Sequence, residues 1–330
     1  MTQTDFLAIG DITTDAFIKL EQAEVRCDAN KENCKLCVNF GDKIPFESVT
    51  IIKAVGNSAN ASVSATRLGL KSSLLAYIGD DQNGQDDITE LKKNGVDTSF
   101  VRVDPGKHTN YHYVLWYDVD RTILVKHDTF NYDLGDIDHP KWIYLSSLGG
   151  NSLNYHLQIA DFVENNPETK LAFQPGTFQI KMGTEALAKI YRNTEIFFCN
   201  VEEAQHILSE TSRDPKTLLK KMSELGPKIV VITDGFNGAY AYEAKNPDDF
   251  WFMPIYPHTP FERTGAGDAY ASTVVSYLAL GRPLEEALPR AGINSMSVVQ
   301  KVGAQEGLLS QEKIEEYLNS APPEYAPRKI

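Results

Sequence analysis

From residue 140 onward the chain alternates short apolar runs with segments of helical spacing, and this alternation restricts its architecture more than any other feature. Trp142 to Leu145, Lys170 to Phe173, Ile196 to Cys199 and Ile229 to Thr233 have the length and apolar content of buried strands, with segments such as Leu153 to Asn165 and Pro215 to Leu225 between them. The pattern predicts a parallel sheet covered by helices. Pro215 directly after Asp214 fits an N-cap followed by a first-turn proline.

The amino-terminal part is mixed. Phe6 to Gly10 reads as a buried strand whose C-terminal end opens onto a site. From Asn57 small residues recur at helical spacing (Ala61, Ala65, Leu68) up to the stop at Gly69. Leu74 to Ile78 reads as a strand, and Asp87 to Lys93 as a helix ended by Asn94-Gly95. Two other tracts are half-exposed β structure: Lys43 to Lys53, with Ile44, Phe46, Val49 and Ile51, and the aromatic stretch Tyr111 to Lys126, turned by Asp118 to Asp120. The expected organisation is an α/β body from residues 1–15, 55–97 and 131–330, with a small β lid from 16–54 and 98–130. An edge-exposed aromatic lid would leave apolar area for a second copy of the chain to cover. The tail Ala321 to Ile330, with three prolines, is expected to be loosely attached.

Charge narrows the range of ligands. The 330 residues carry 32 Lys plus Arg against 45 Asp plus Glu, a net charge of −13, which argues against a nucleic-acid or anionic-membrane surface. No run approaches the ~18 apolar residues of a membrane span, and Met1 to Asp5 has no signal-peptide pattern, so a cytoplasmic protein is expected. Any anionic ligand must be held by a local device. Arg263-Thr264-Gly265-Ala266-Gly267-Asp268-Ala269-Tyr270, opening a helix with Val274, Val275 and Leu278, offers one. Its glycines allow a tight turn that exposes N–H groups, and the helix directs its positive end to the same place. Asp268, in the first helical turn, is placed to take a hydroxyl proton beside this cradle. Taken alone, the tetrapeptide fits close helix packing equally well.

Thr264 to Asp268 with its helix resembles the C-terminal signature of the PfkB (ribokinase-like) sugar and nucleoside kinases. The likeness runs in family order from residue 6 to 310. Gly10 to Asp15 resembles the family's first strand and turn. Gly56-Asn57-Ser58-Ala59-Asn60, Arg67-Leu68-Gly69 and Gly79-Asp80-Asp81 with Gly84 resemble its N-terminal signature. Asn200-Val201-Glu202-Glu203 resembles the Asn-x-x-Glu element, Thr233-Asp234-Gly235 with Gly238 the nucleotide-binding strand end, and Lys301 to Gln305 the closing Lys-x-Gly-Ala-Gln stretch.

The resemblance implies a ribokinase-like α/β fold, a parallel-sheet three-layer body with a small β-sheet lid, and ATP-dependent phosphoryl transfer with Mg²⁺. It implies Asp268 as catalytic base, with Gly265, Ala266 and Gly267 as the anion hole for the γ-phosphate. Asp15, Gly56, Asn57 and Asn60 would hold the acceptor, a role that suits the donors and acceptors a polyol needs. Asn200 and Glu203 would act on Mg²⁺ through water, which also fits an ordinary helix cap with a first-turn acid. Thr233, Gly235, Gly238 and Lys301 would line the nucleotide. Glu262 and Thr264 fall where members with a monovalent-cation site have an Asp and its neighbour, which implies K⁺ activation.

Some positions depart from the pattern. Val55-Gly56 replaces the usual Gly-Gly, Asn57 the residue after it, and Thr13 an Asn that contacts sugar in ribokinases. Phe173-Gln174-Pro175-Gly176 resembles the Asp-Pro-Gly turn of archaeal members with Gln in place of Asp, and Lys181 reads either as an anion contact or as a solvated lysine at a helix start. Cys27, Cys34 and Cys37 leave three readings open: a structural zinc site completed by Asp28, His108 or His112, free thiols, or one disulfide. Cys199 reads as a small core residue. Tyr111, Tyr113, Trp116 and Tyr117 read either as a stacking surface for a ligand or as sheet packing. The expected function is phosphorylation of a hydroxymethyl group on a small sugar, ribokinase- or fructokinase-like. One alternative is a nucleoside (adenosine-like) kinase of the same fold. The other is a catalytically silent sugar- or nucleotide-binding regulator, against which intact Asp268, Asn200 and Glu203 argue.

Overall fold

The apolar runs build the central sheet of the computed structural model, which describes residues 3–28, 34–118, 120–259 and 263–330. Across the sheet the strands are Ser72–Leu75, Phe6–Ile9, Trp142–Leu145, Lys170–Phe173, Thr194–Asn200, Ile229–Thr233, Ala239–Glu243, Phe250–Met253 and Arg328–Lys329. Ser72–Leu75 through Ile229–Thr233 run parallel, and the remaining strands are added antiparallel at one edge. Side-chain alternation sends Phe6, Ala8 and Tyr144 into one core, and Leu7, Ile9, Ile143 and Leu145 into the other. The first core is closed by the helices Asn57–Arg67, Ala266–Ala279 and Leu284–Val298, and the second by Leu153–Asn165 and Pro215–Glu224. These strands read as continuous apolar runs because both faces are covered.

Asn57–Arg67 buries every residue from Ser58 to Ala65, which Ala and Ser permit by letting it lie close against Ala266–Ala279, itself buried from Asp268 to Tyr277. That contact brings the two signature motifs together.

Both β tracts enter one smaller sheet, ordered Asp120–Lys126, Asn110–Tyr117, Thr13–Leu20, Phe46–Val55. Thr13–Leu20 pairs antiparallel with Phe46–Val55 and parallel with Asn110–Tyr117. The sheet rests on the helix Gln82–Lys93, where buried Asp87 accepts from the Thr14 hydroxyl at 2.9 Å and the Ala54 N–H at 2.7 Å. Its outer part exposes Val49, Ile51, Tyr113 and Leu124, each about half accessible.

The sequence reading needs several corrections. Leu74 to Ile78 is two strands, because Tyr77–Gly79 leaves the large sheet to pair with Arg102–Asp104. The tail is anchored: Arg328–Lys329 pairs with Phe250–Met253, and buried Tyr325 donates its hydroxyl to the Pro289 carbonyl. Cys27 and Cys34 are joined by a disulfide across the exposed hairpin Glu24–Arg26/Lys35–Cys37, and Cys37 is a separate thiol. A disulfide sulfur is not the thiolate that zinc binds, so the zinc reading of Cys27, Cys34 and Cys37 does not hold in this structure. His108 stands by Asp81 and His112 by Asp15, and no group of three His, Cys, Asp or Glu side chains suited to a metal occurs among the described residues. Cys199 is buried. No helix among the described residues is long and apolar enough to cross a membrane.

Candidate active site

The carboxyl ends of the parallel strands deliver the polar residues. Asp11 follows Phe6–Ile9, Gln174 follows Lys170–Phe173, Asn200 ends its strand, and Thr233 ends the next. Facing them is the amino end of Ala266–Ala279. Gly265 caps that helix with φ 78°, and a Cβ there would stand 2.6 Å from Ala304 Cα, so the cradle can be entered only by glycine. A Cβ on Gly267, by contrast, would meet only Gln174 Nε2, at 3.8 Å.

Asp268 is 9% exposed, and amide donors hold both of its oxygens. Asn57 Nδ2 donates to Oδ1 at 2.8 Å, Gln174 Nε2 to the same oxygen at 3.1 Å, and Asn60 Nδ2 to Oδ2 at 2.8 Å. Burial pushes the Asp268 carboxyl above its ordinary value, and the Asn60, Gln174 and Asn57 amides pull the other way by favouring the anion. Behind them, Gln305 Nε2 donates to Asn60 Oδ1 at 3.0 Å and to the Ala54 carbonyl at 2.7 Å, while the Tyr144 hydroxyl donates to Gln174 Oε1. The carboxylate therefore has a fixed direction set by a backbone carbonyl.

Two cavities open on either side of this helix terminus. One, of about 560 Å³, is lined by Thr13, Asp15, Phe17, Ile52, His112 and, on the body side, the Gly56 to Asn60 turn with Thr264 and Asp268. The other, about 880 Å³ with its open mouth included, is lined by Thr233, Gly235 and Gly238 on one wall and by Ala266, Gly267, Tyr270 and Met296 on the other. Arg263 lies over the Phe236 ring at 5.0 Å beside it.

The structure thus gathers Asp15, Gly56, Asn57, Asn60, Thr264 and Asp268 around the first cavity, and Thr233, Gly235, Gly238, Ala266 and Gly267 around the second. Asn200 and Glu203 line neither. They form a reciprocal cap, with the Asn200 N–H donating to Glu203 Oε2 at 2.9 Å and the Glu203 N–H to Asn200 Oδ1 at 2.8 Å. Burial raises the Glu203 carboxyl, opposed by the Asn200 hydrogen bond and helped by the charge of Asp268, so the two acids feel one another. Lys301 is exposed just beyond Leu284–Val298 and lines neither cavity. Glu262 lies outside the described residues, and Lys181 is exposed on the helix Thr177–Ala186. Of the aromatic tract, neither Tyr111, Tyr113, Trp116 nor Tyr117 lines either cavity. The sequence reading assigned no site role to Gln174, Gln305, Phe17, Ile52 or His127. Gln174 carried a signal, its departure from the family turn. Gln305 reaches Asn60 across 245 positions, which no local pattern reveals.

A buried, amide-clamped carboxylate thus stands at a helix amino end between two cavities of an α/β sheet, an arrangement that can serve group transfer from one cavity to the other. The chain belongs to the pfkB family of carbohydrate kinases, whose model matches residues 21–311, and it is a sugar kinase of the ribokinase type, a phosphotransferase with an alcohol group as acceptor. It is 26% identical over 328 residues to the 2-dehydro-3-deoxygluconokinase of Thermoproteus tenax, covering 90% of this chain and 99% of that protein. It is 28% identical over 265 residues to mouse ribokinase, covering 76% and 79%. The ribokinase of Arabidopsis thaliana, solved in complex with ribose and ATP, superposes with a TM-score of 0.80 at 17% identity, over 96% of this chain and 99% of that one.

Proposed function

We propose that the chain transfers the γ-phosphoryl group of ATP to a hydroxymethyl group of a small neutral sugar, with Asp268 as general base. The single observation that carries this is the Asp268 carboxylate, held by Asn57, Asn60 and Gln174 on the wall of the smaller cavity, one residue from Gly267 on the wall of the larger. A hydroxyl held by Asp15 and Asn57 in the smaller cavity would give its proton to Asp268 as it attacks. The Gly265-Ala266-Gly267 cradle then receives charge from the transferred group through N–H groups that a helix leaves unpaired. No Lys or Arg among the described residues lines the smaller cavity, which favours an uncharged polyol over a sugar phosphate or a sugar acid. The oxygen donors of Asn200 and Glu203 fit Mg²⁺ bound through water, and the ion would supply charge neutralisation on the phosphates. Thr264, on the cavity wall, supports K⁺ dependence.

A nucleoside acceptor is the second reading, favoured by Phe17 and His112, two ring side chains that line the same cavity. ATP dependence supports a cytoplasmic location. The exposed apolar row of the smaller sheet, Val49, Ile51, Tyr113 and Leu124, supports a homodimer through that sheet, which acts as the lid.

A coupled ADP-release assay with Mg-ATP and K⁺, run against pentoses, hexoses, their phosphates, sugar acids and nucleosides, tests the proposal. A neutral sugar is expected to be the best acceptor. Turnover confined to sugar acids or sugar phosphates refutes the charge argument, and turnover confined to nucleosides selects the second reading.

A further inference from the structure

Behind Asp15 lies a row of side chains to which the phosphoryl-transfer reading gives no part in the reaction. His112 Nδ1 lies 3.2 Å from Asp15 Oδ1, an oxygen that is buried and accepts no hydrogen bond. On its other side His112 Nε2 faces His127 Nε2 at 3.1 Å, the rings stacked with centroids 5.1 Å apart. His127 Nδ1 is 3.2 Å from Asp11 Oδ2, and the Tyr132 hydroxyl donates to Asp11 Oδ1 at 2.7 Å. The side chains are 5 to 18% exposed along the run from Asp11 through His127 and His112 to Asp15.

Two imidazole nitrogens at this separation attract only when one of them carries a hydrogen between them, so one hydrogen bond joins the rings. It ties His112, on the cavity wall, to His127 and through His127 to Asp11, at a cavity that no Lys or Arg among the described residues lines. The other groups around the pair are engaged elsewhere. Tyr132 is held neutral, its hydroxyl pushed up by burial and by Asp11. His156, buried near Asp11, is pushed down by burial, and Phe178 presents only a ring edge to His127, 5.8 Å away. Asp128 is engaged by Lys107 and the His108 N–H, and Lys126 is exposed.

We propose that the His112–His127 pair fixes Asp15 for the acceptor's hydroxyls, which makes both histidines positioning residues for acceptor binding. This rests on the smaller cavity being the acceptor site.

The test uses His127→Gln, which replaces the ring that backs His112 at a residue that does not line the cavity, with His127→Asn as a second variant. KM for the acceptor is expected to rise about tenfold, while kcat and KM for Mg-ATP stay within about threefold. ¹⁵N-histidine NMR reads the wild type directly: of the seven histidines, the two whose signals are altered by His127→Gln must show a hydrogen bond between their Nε2 atoms. The proposal is overturned by an acceptor KM within twofold of wild type in both variants, or by the absence of that hydrogen bond. Should the variants not fold, the wild-type hydrogen bond between the rings, assigned by through-space contacts to Phe178, decides alone. Wild-type protein inactive on every neutral sugar defeats the proposed function instead, and the hydrogen bond then judges the pair by itself.

Discussion

Replacing Asp268 by Asn changes the proposed base and almost nothing in volume, and the hydrogen-bond network lets the outcome be worked in advance. The amide oxygen would remain at the Oδ1 position, where it keeps the Asn57 and Gln174 donors. Its NH₂ group would then face Asn60 Nδ2, donor against donor. Turning Asn60 over only moves the conflict, because its own oxygen accepts from Gln305 Nε2 and that nitrogen also serves the Ala54 carbonyl. A backbone carbonyl cannot reverse, so one buried donor stays unsatisfied, at about 1–3 kcal/mol of stability. For a chain of this size that is a loss of only a few degrees in Tm. Removing a general base acts on a different scale, about 10²–10⁴ in kcat. The expected result is therefore a folded protein whose turnover falls at least a hundredfold in a coupled ADP-release assay while nucleotide affinity, measured by calorimetry, stays within about threefold. Turnover within tenfold of wild type would refute Asp268 as the base. A parallel collapse of nucleotide binding would show that the network supports the fold rather than the reaction.

Gln174→Glu puts a second carboxylate about 3 Å from Asp268 Oδ1, worth roughly 5.5 kcal/mol at a dielectric of 20, so the acidic limb of kcat/KM should move up by as much as about four pH units; a limb that stays in place would show that Gln174 does not set the charge of the proposed base. Gly267→Ala adds a methyl with no neighbour nearer than 3.8 Å, so Tm should hold while kcat drops about a hundredfold from displacement of the phosphoryl group, and undiminished kcat would remove Gly267 from the cradle. Asp87 has its carboxyl raised from 3.8 to about 7 by burial, against hydrogen bonds from Ala54 and Thr14. The folded state then holds a proton that the unfolded state has lost, so stability falls as pH rises from about 4 to 7, by up to about 4 kcal/mol, and is level above that. Asp87→Asn should flatten this decline in denaturant titrations at pH 5 and 8, and parallel wild-type and variant curves would contradict it.

What could be read from the chain itself follows from where each signal resides. Trp142–Leu145, Lys170–Phe173 and Ile229–Thr233 were legible to the residue because burial on both faces demands an uninterrupted apolar run. Ala239–Glu243 and Phe250–Met253 were not read, since the first holds only Ala and Tyr before its Glu and the second is four residues long, so neither makes the β-branched run that marks the parallel strands. Leu74 to Ile78 could not be divided locally, because the break is made by Arg102–Asp104, a partner more than twenty residues away. Within the site, Asn57 and Asn60 were legible through the family resemblance, but their convergence on Asp268 depends on two helices packing over more than 200 residues of separation. The cysteine spacing admitted metal and disulfide alike, and only the cross-strand register of the hairpin distinguishes them. His127 left no trace in the sequence, since a histidine pair is defined by two rings meeting across strands and a loop.

The site is divided between two bodies that share several contacts, one of them made through Ala54. Thr13, Asp15, Phe17, Ile52 and His112 reach the smaller cavity from the smaller sheet, while Asn60, Thr264, Asp268 and Ala304 belong to the larger body. Ala54, held at φ 55° near the end of its strand, gives its N–H to Asp87 and its carbonyl to Gln305, which orients Asn60 and through it Asp268. A non-glycine residue persists in that conformation only where its surroundings over-determine it, and here two buried hydrogen bonds do so. Ile52, two residues earlier, packs directly on the Gly303 backbone, so the sheet touches the body beside the same junction. A shift of the sheet on acceptor binding would therefore be transmitted through Ala54 to the base. Changes in the sheet should act mainly on acceptor KM and changes around Asp268 on kcat, with Ala54 the position where the two effects can no longer be separated.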